Sequence, residues 1–228
     1  MLFSCQKGYS SVSLYSSIQF GVTSVPAAIP GRRERKKQML RDRIWEETVH
    51  LIEREGVEGT TIDAVCQAVD VAKKTFYNYY ASKHELLIDI CQSQLLNRTD
   101  ELINEALADS DRLDKQLDTI FAAFAHRNSS AGKLDRELID YMVGSLSDNR
   151  SDGGGQLTFM NKCFLRLYQA GEAQIKPKLT PEFCAEMTVG MSNAITLNWL
   201  HDKTYDTENN FLMLLDYIKD SMLRGEKP

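Results

Sequence analysis

The chain has 228 residues, of which 43% are hydrophobic and 26% are charged, and its formal net charge is −5 at pH 7. This composition is that of an ordinary soluble protein, and the length allows one large domain or a small domain joined to a medium one. The 13 Gly and 5 Pro argue against a loop-rich all-β fold and against collagen-like or disordered chains. No stretch approaches the ~20 apolar residues of a membrane-spanning helix, so we expect no membrane partner.

The first 31 residues differ from the rest of the chain. They hold seven Ser, no acidic residue, and Lys7 as their one basic residue. Their apolar residues are interrupted by Ser and Gln, which does not fit a signal peptide, and the lack of Arg does not fit a transit peptide. We expect residues 1–31 to be a disordered leader or an upstream extension from a misassigned start.

Helical spacing of apolar residues begins after Arg32. A first long helix is predicted up to Gly56, which is suited to a C-terminal cap. Thr61 follows as an N-cap for a short helix to Ala68. A turn then leads to a second short helix, predicted from about Ala72 to Tyr80.

The sharpest helix start is the capping box Ser82-Lys83-His84-Glu85, which opens a helix to about Leu107. Further helices are predicted near 113–126, 134–146, 157–170, 180–202 and 207–224, with Gly153-Gly154-Gly155 as part of a flexible loop. No segment alternates with period two over a useful length. The expected fold is therefore all-α, with about nine helices and no sheet.

The window from Gly56 to Leu87 has the layout of a helix-turn-helix, because two short helices flank a tight turn behind a longer helix. In such a unit the second helix enters the DNA major groove. An acidic whole chain does not exclude this, since residues 31–98 carry a net charge of +1 and residues 99–228 carry −7. What matters is where the basic residues lie.

The second short helix carries side chains suited to DNA. Lysine in a first helical turn works against the helix dipole, so Lys73 and Lys74 suggest a partner. Thr75 and Asn78 share a face and can contact bases, and tyrosine hydroxyls can bond phosphate. Phe76 and Tyr80 are expected to face inward. The candidate DNA-binding residues are Thr61, Lys73, Lys74, Thr75, Tyr77, Asn78, Tyr79 and Lys83; the alternative is a surface charge cluster over an aromatic core patch.

The runs Gly56-Val57-Glu58-Gly59-Thr60-Thr61 and Thr75-Phe76-Tyr77-Asn78-Tyr79-Tyr80, with Ser82-Lys83 and Leu86 after them, resemble the N-terminal domain of the tetracycline-repressor (TetR) family of transcriptional regulators. The resemblance covers roughly residues 35–97. Two departures are Asp70, where the family commonly has Gly in the turn, and Ala72, where a capping residue such as Ser is usual. Asp visits the left-handed region less readily than Gly.

The resemblance implies three segments: a leader at 1–31, a DNA-binding domain at 32–97, and a helical ligand-binding and dimerisation domain at 98–228. It also implies a homodimer on a double-stranded palindromic DNA operator, with an unknown small-molecule effector that changes the separation of the two DNA-binding units. Repression is the family's commoner mode. A regulator that activates or needs no effector, and less readily an all-helical enzyme, are the alternatives.

Candidate pocket residues are Phe121, Phe124, Tyr141, Met142, Met160 and Phe164, although each of them taken singly fits helix-bundle core better than a ligand contact. Trp199 could anchor the dimer or cap the pocket. The five Cys share no close spacing, and the four His show no H-E-x-x-H pattern. We therefore expect no disulfides, no metal, no cofactor and no catalytic residues, and a reducing, cytoplasmic location.

Overall fold

The computed structural model describes residues 31–147 and 153–225. These residues form an all-α fold, as predicted, in which the one departure from helix and loop is an isolated antiparallel bridge between Ile175 and Leu223. The helices are α1 (Arg32–Gly59), α2 (Ile62–Val69), α3 (Lys73–Phe76), α4 (Lys83–Cys91), α5 (Asn97–Asp109), α6 (Leu113–Ser129), α7 (Lys133–Ser147), α8 (Gly153–Ala170), α9 (Pro181–His201) and α10 (Thr207–Met222). A π-helical segment, Gln92–Leu96, joins α4 to α5.

Helix α1 is kinked at Gly56, which has a φ of +79°. Only glycine adopts such a backbone readily. The next amide, of Val57, donates its hydrogen bond to Oε2 of Glu137 on α7, at 2.8 Å, instead of to its own helix. A Cβ at Gly56 would lie 2.9 Å from the same carboxylate oxygen. Glycine is therefore required here both by the backbone angle and by the close approach of α7.

The short helices α2 and α3 are capped largely as the sequence predicts. Thr61 is the N-cap of α2, since its hydroxyl accepts from the Ala64 amide at 3.1 Å. Asp70 ends α2 in the left-handed conformation, with a φ of 56°, so the turn keeps its geometry without the usual glycine. Helix α3 is shorter than predicted. After Phe76 the chain continues in tight turns, because the Asn78 amide bonds the Thr75 carbonyl and the Tyr79 amide bonds the Phe76 carbonyl, each three residues back.

The capping box at α4 forms with one difference. The Ser82 hydroxyl accepts from the Glu85 amide at 3.1 Å, as expected. The Glu85 carboxylate, however, accepts from the amide of Ala81 and not from that of Ser82. The helical run that this box opens continues to Asp109, close to the predicted end at about Leu107, because the Asn97 amide bonds the Gln92 carbonyl and carries the chain through the π-helical segment into α5.

Two buried cores form. The first, called here the head core, joins α1 to α4 and also contains Leu138 and Ile139 of α7 and Trp199 of α9. The second joins α5, α6, α8, α9 and α10 around the rings of Phe121, Phe124, Phe164 and Phe211. Helix α7 thus belongs to the head core, although it lies far beyond residue 97 in the sequence. The segment boundaries given above stay a prediction.

The predicted flexible loop is helical over Gly153–Gly155, which form the first turn of α8, whereas Ser151 and Asp152 lie outside the described residues. Residues 1–30 of the expected leader also lie outside them. The cysteines Cys66, Cys91, Cys163 and Cys184 are buried, and burial raises the pKa of each thiol.

Replacing Gly56 by alanine is expected to destabilise the protein by about 2 kcal/mol, because an L residue is strained at this φ and the new Cβ would push against Glu137. Urea unfolding followed by circular dichroism measures the effect. The matched control is Gly144→Ala in α7, where a Cβ meets open space and where the higher helix propensity of alanine should stabilise by about 0.5–1 kcal/mol. Equal effects of the two substitutions would contradict this account of the kink.

Candidate nucleic-acid interface

Apart from Lys83, the candidate DNA-binding residues lie at the start of α2, on α3 and in the turns that follow. Lys73, Lys74 and Asn78 are exposed, and Tyr77 is 51% exposed although it is a large aromatic residue. Thr75 and Tyr79 are half-buried, and Thr61 is exposed at the start of α2. An exposed row of lysine, asparagine and tyrosine is chemically suited to phosphate oxygens and base edges.

Phe76 and Tyr80 form the buried underside of this surface, as the sequence predicted, with 0% and 2% exposure. The Tyr80 hydroxyl donates to Oδ2 of Asp89 at 2.9 Å and accepts from Nε of Arg41 at 3.2 Å. Arg41 and Asp89 also pair directly, at 3.1 Å. Burial raises the pKa of Tyr80, so the phenol stays protonated. This triad ties the end of the recognition segment, which comprises α3 and the turns up to Tyr80, to both α1 and α4.

Lys73 has an acidic neighbour. Its ammonium lies 2.7 Å from Oδ1 of Asp63 on α2, and both side chains are exposed to solvent. The hydrogen bond to Asp63 raises the pKa of Lys73. An exposed ion pair of this kind contributes little to stability, so DNA phosphate can compete with Asp63 for the lysine.

Lys83 is placed differently from the other candidates. Its side chain is half-buried, and its ammonium donates to the Val57 carbonyl at 2.6 Å. The side chain therefore holds the end of α1 against the start of α4. A contact with DNA would have to compete with this hydrogen bond.

The start of α1 adds basic residues that the sequence reasoning did not assign to DNA. Arg33, Lys36 and Lys37 line a surface groove with Thr75, Asn78 and Tyr79. The signal was present in the sequence, because the helix opens with the run Arg32-Arg33-Glu34-Arg35-Lys36-Lys37. Spacing alone could not show that this run lies beside the recognition segment, since the two are about forty residues apart in the chain.

A second feature is a cavity of about 130 Å³ in the C-terminal half. The residues that line it come from the π-helical segment, α5 to α10, and include Phe124, Met142 and Met160 as predicted. Phe121 and Phe164 are wholly buried core instead. Tyr141 contacts His84 on α4, with its hydroxyl 2.5 Å from Nδ1.

Trp199 is neither an exposed dimer anchor nor part of the cavity wall. It is 4% exposed and packs in the head core, with the guanidinium of Arg136 stacked 4.1 Å above its ring. Within the described ranges no cluster of His, Cys, Asp or Glu could hold a metal ion. The same residues include no helix that is long and apolar enough to cross a membrane.

An exposed polar recognition segment on a buried aromatic base, held behind a longer helix, defines a helix-turn-helix DNA-binding protein. Residues 44–90 match the family model of the bacterial regulatory proteins of the tetR family. These residues therefore form a DNA-binding domain of the tetR-family type, and the match supports a DNA-binding transcriptional regulator.

Individual relatives agree with this assignment. The chain is 37% identical over 59 residues to the HTH-type transcriptional regulator TcmR of Streptomyces glaucescens, and this alignment spans 26% of each protein. SmeT, the repressor of the Stenotrophomonas maltophilia multidrug efflux pump SmeDEF, has a similar fold: the TM-score is 0.66 at 15% identity over 82% of this chain and 91% of SmeT. Thermus thermophilus FadR, solved with lauroyl-CoA, gives a TM-score of 0.66 at 20% identity over 82% and 97%. The structural likenesses show a common fold.

Replacing Tyr80 by phenylalanine is expected to lower stability by about 1–3 kcal/mol, because it removes the hydrogen bonds that the Tyr80 hydroxyl makes to two charged groups, Arg41 and Asp89. Tyr77→Phe is the matched control, since Tyr77 is half exposed and its substitution should change stability by less than about 0.5 kcal/mol. Thermal unfolding of both variants provides the comparison. A Tyr80→Phe protein as stable as the wild type would show that the triad does not hold the recognition segment.

Proposed function

We propose that this regulator is a homodimeric repressor that binds a palindromic operator and is released from it by a small-molecule effector. In this proposal the DNA-binding unit, called here the head, comprises α1 to α4. Each head presents α3 to a major groove, and the two-fold axis of the dimer is matched by the symmetry of the operator.

The residues proposed to contact DNA divide into two groups. The major groove and its phosphates are assigned to the exposed side chains on α3 and the turn after it: Lys73, Lys74, Tyr77 and Asn78. The sugar-phosphate backbone at the edges of the groove is assigned to Thr61, Thr75, Tyr79 and Lys83. The basic side chains at the start of α1 extend the same surface, and they neutralise further phosphates.

Two helices at the C-terminus carry the proposed dimer interface. Large hydrophobic side chains are exposed along α9 and α10: Phe183, Met187, Leu197, Leu212, Met213 and Tyr217. Large apolar side chains exposed along two adjacent helices are typical of a site that a partner covers. A second copy of the same chain supports the symmetry that the operator requires.

One observation carries the proposed effector response: Leu95 and Ile139 belong both to the head core and to the cavity wall. Leu95 lies in the π-helical segment and Ile139 lies on α7. The same α7 supplies Glu137, which accepts from the Val57 amide in the head. A ligand that moves either side chain must therefore disturb the packing of the head, since packed cores do not deform smoothly.

The DNA-contact assignment predicts opposite effects for two neighbouring substitutions. Lys74→Ala should weaken binding and lower the salt slope by about one, whereas Asp63→Asn should strengthen binding, because it releases Lys73 and removes a negative charge near phosphate. Lys178→Ala, an exposed lysine beyond the head, is the control. The measurement is a mobility-shift salt titration on a duplex selected by the wild-type protein. Weaker binding by the Asp63→Asn variant would contradict the assignment.

The interface assignment predicts that Met213→Glu produces monomers, because a charge cannot be buried unpaired at an apolar interface. Met39→Glu is the matched control, since Met39 is similarly exposed on α1 and lies outside the proposed interface. Sedimentation velocity gives the oligomeric state of each. A wild-type monomer, or a Met213→Glu protein that stays dimeric, would contradict the assignment.

A further inference from the structure

The cavity has two chemically different sides. Most of its wall is formed by leucine, isoleucine, valine, methionine and phenylalanine side chains. Polar side chains interrupt this wall, and among them are Arg127 on α6, Gln156 on α8 and Ser192 on α9. A ligand that fills the cavity therefore contacts apolar side chains and, at the same time, polar side chains that come from three different helices.

Gln156 and Ser192 are buried without hydrogen-bond partners. Gln156 is 6% exposed, and both its Nε2 and its Oε1 are shielded from solvent with no partner among the described residues. Ser192 is 9% exposed, and its Oγ is likewise shielded from solvent with no hydrogen-bond partner among the described residues. Buried polar atoms in native proteins are nearly always paired, because an unpaired one costs about 1–3 kcal/mol. These two side chains therefore supply both donors and an acceptor to an occupant of the cavity.

Arg127 brings a positive charge to the same place. Its guanidinium stacks over the Phe124 ring, 5.2 Å from the centroid, and its Nε is shielded with no acceptor in the described part of the chain. Burial lowers the pKa of Arg127, as does the nearby cation of Arg98, while Asp135 is the acidic group that acts against them. Asp135 accepts from the Gly132 amide, at 3.3 Å. A cation with a shielded, unpaired donor is costly unless an anion pairs with it, and the planar fork of a guanidinium matches a carboxylate.

The size of the cavity limits the occupant. A volume of about 130 Å³ is close to that of cavities that hold a single benzene ring. Leu157 lines the cavity and is 42% exposed, so it lies at the rim and marks where a ligand enters. The occupant is therefore a compact molecule, with an apolar body of about six to eight carbon atoms.

We infer that the effector is a small carboxylate with a ring-sized apolar body, whose carboxylate binds Arg127 and hydrogen-bonds Gln156 and Ser192. This inference rests on the proposed effector-released function and names the chemical class of its effector. The apolar body contacts Phe124, Leu95 and Ile139, which are the side chains through which the cavity meets the second core and the head core.

Benzoate and benzamide are the matched probes, since they have the same ring and differ in charge. Calorimetric titration of the full chain at pH 7 should show benzoate binding at least about tenfold more tightly than benzamide. Arg127→Met should remove this preference. Arg98→Met, which deletes a neighbouring exposed cation that does not line the cavity, should change benzoate affinity by less than about twofold. Equal binding of the two probes, no binding of benzoate, or an unchanged preference in Arg127→Met would each overturn the inference.

A second variant guards against misfolding of the first. Gln156→Leu keeps Arg127 and should lower the affinity for benzoate by about fivefold or more. The melting temperature of the unliganded protein should stay unchanged or rise, because the substitution removes unpaired buried polar atoms. The effect of benzoate on operator binding is a separate readout. Benzoate that binds by this pattern without weakening operator binding would support the ligand class and contradict the proposed release from DNA.

Discussion

The arrangement of this protein depends on the contact between α7 and the kinked end of α1. Gly56 turns the chain with a positive φ, and the freed Val57 amide donates to Glu137. Two further bonds reinforce the junction, from Lys83 to the Val57 carbonyl and from Lys133 to the Arg54 carbonyl. The end of α1 is thereby held by side chains from α4 and α7. The position of the recognition segment follows, because α2 and α3 are anchored to α1 and α4.

This junction makes the DNA-binding part and the cavity mechanically dependent on each other. Leu138 and Ile139 of α7 complete the head core, while Ile139 and Met142 of the same helix line the cavity. On the other side, the π-helical segment carries Leu95 and Leu96 to the cavity immediately after α4 ends. Single-turn π segments are frequent at functional sites in helices. An occupant of the cavity thus contacts two of the elements that hold α1 in place.

Sequence patterns predicted what is local and missed what is distant. Helix positions, the Thr61 and Ser82 caps, and the inward-facing Phe76 and Tyr80 follow from short-range spacing, which is the strongest sequence signal. The π-helical segment, the shortness of α3 and the helical Gly153–Gly155 turn were missed, because tertiary packing overrides local propensity there. Nothing in the spacing could join Glu137 to Val57, bring Arg127 and Gln156 to the wall of one cavity, or place the basic start of α1 beside Asn78. Those arrangements depend on the fold, and they carry the proposed function.

The coupling between cavity and head is tested most directly by two substitutions, made separately and together. One fills the cavity with a larger side chain, and the other removes the hydrogen bond between Glu137 on α7 and the end of α1. Operator affinity would be measured for the wild type, Ser192→Phe, Glu137→Ala and the double variant, on a duplex selected by the wild-type protein. If α7 transmits the effect, Ser192→Phe should weaken binding by about tenfold in the intact protein and by less than about threefold when Glu137 is absent. The same fold loss in both backgrounds, or no loss in either, would contradict the account.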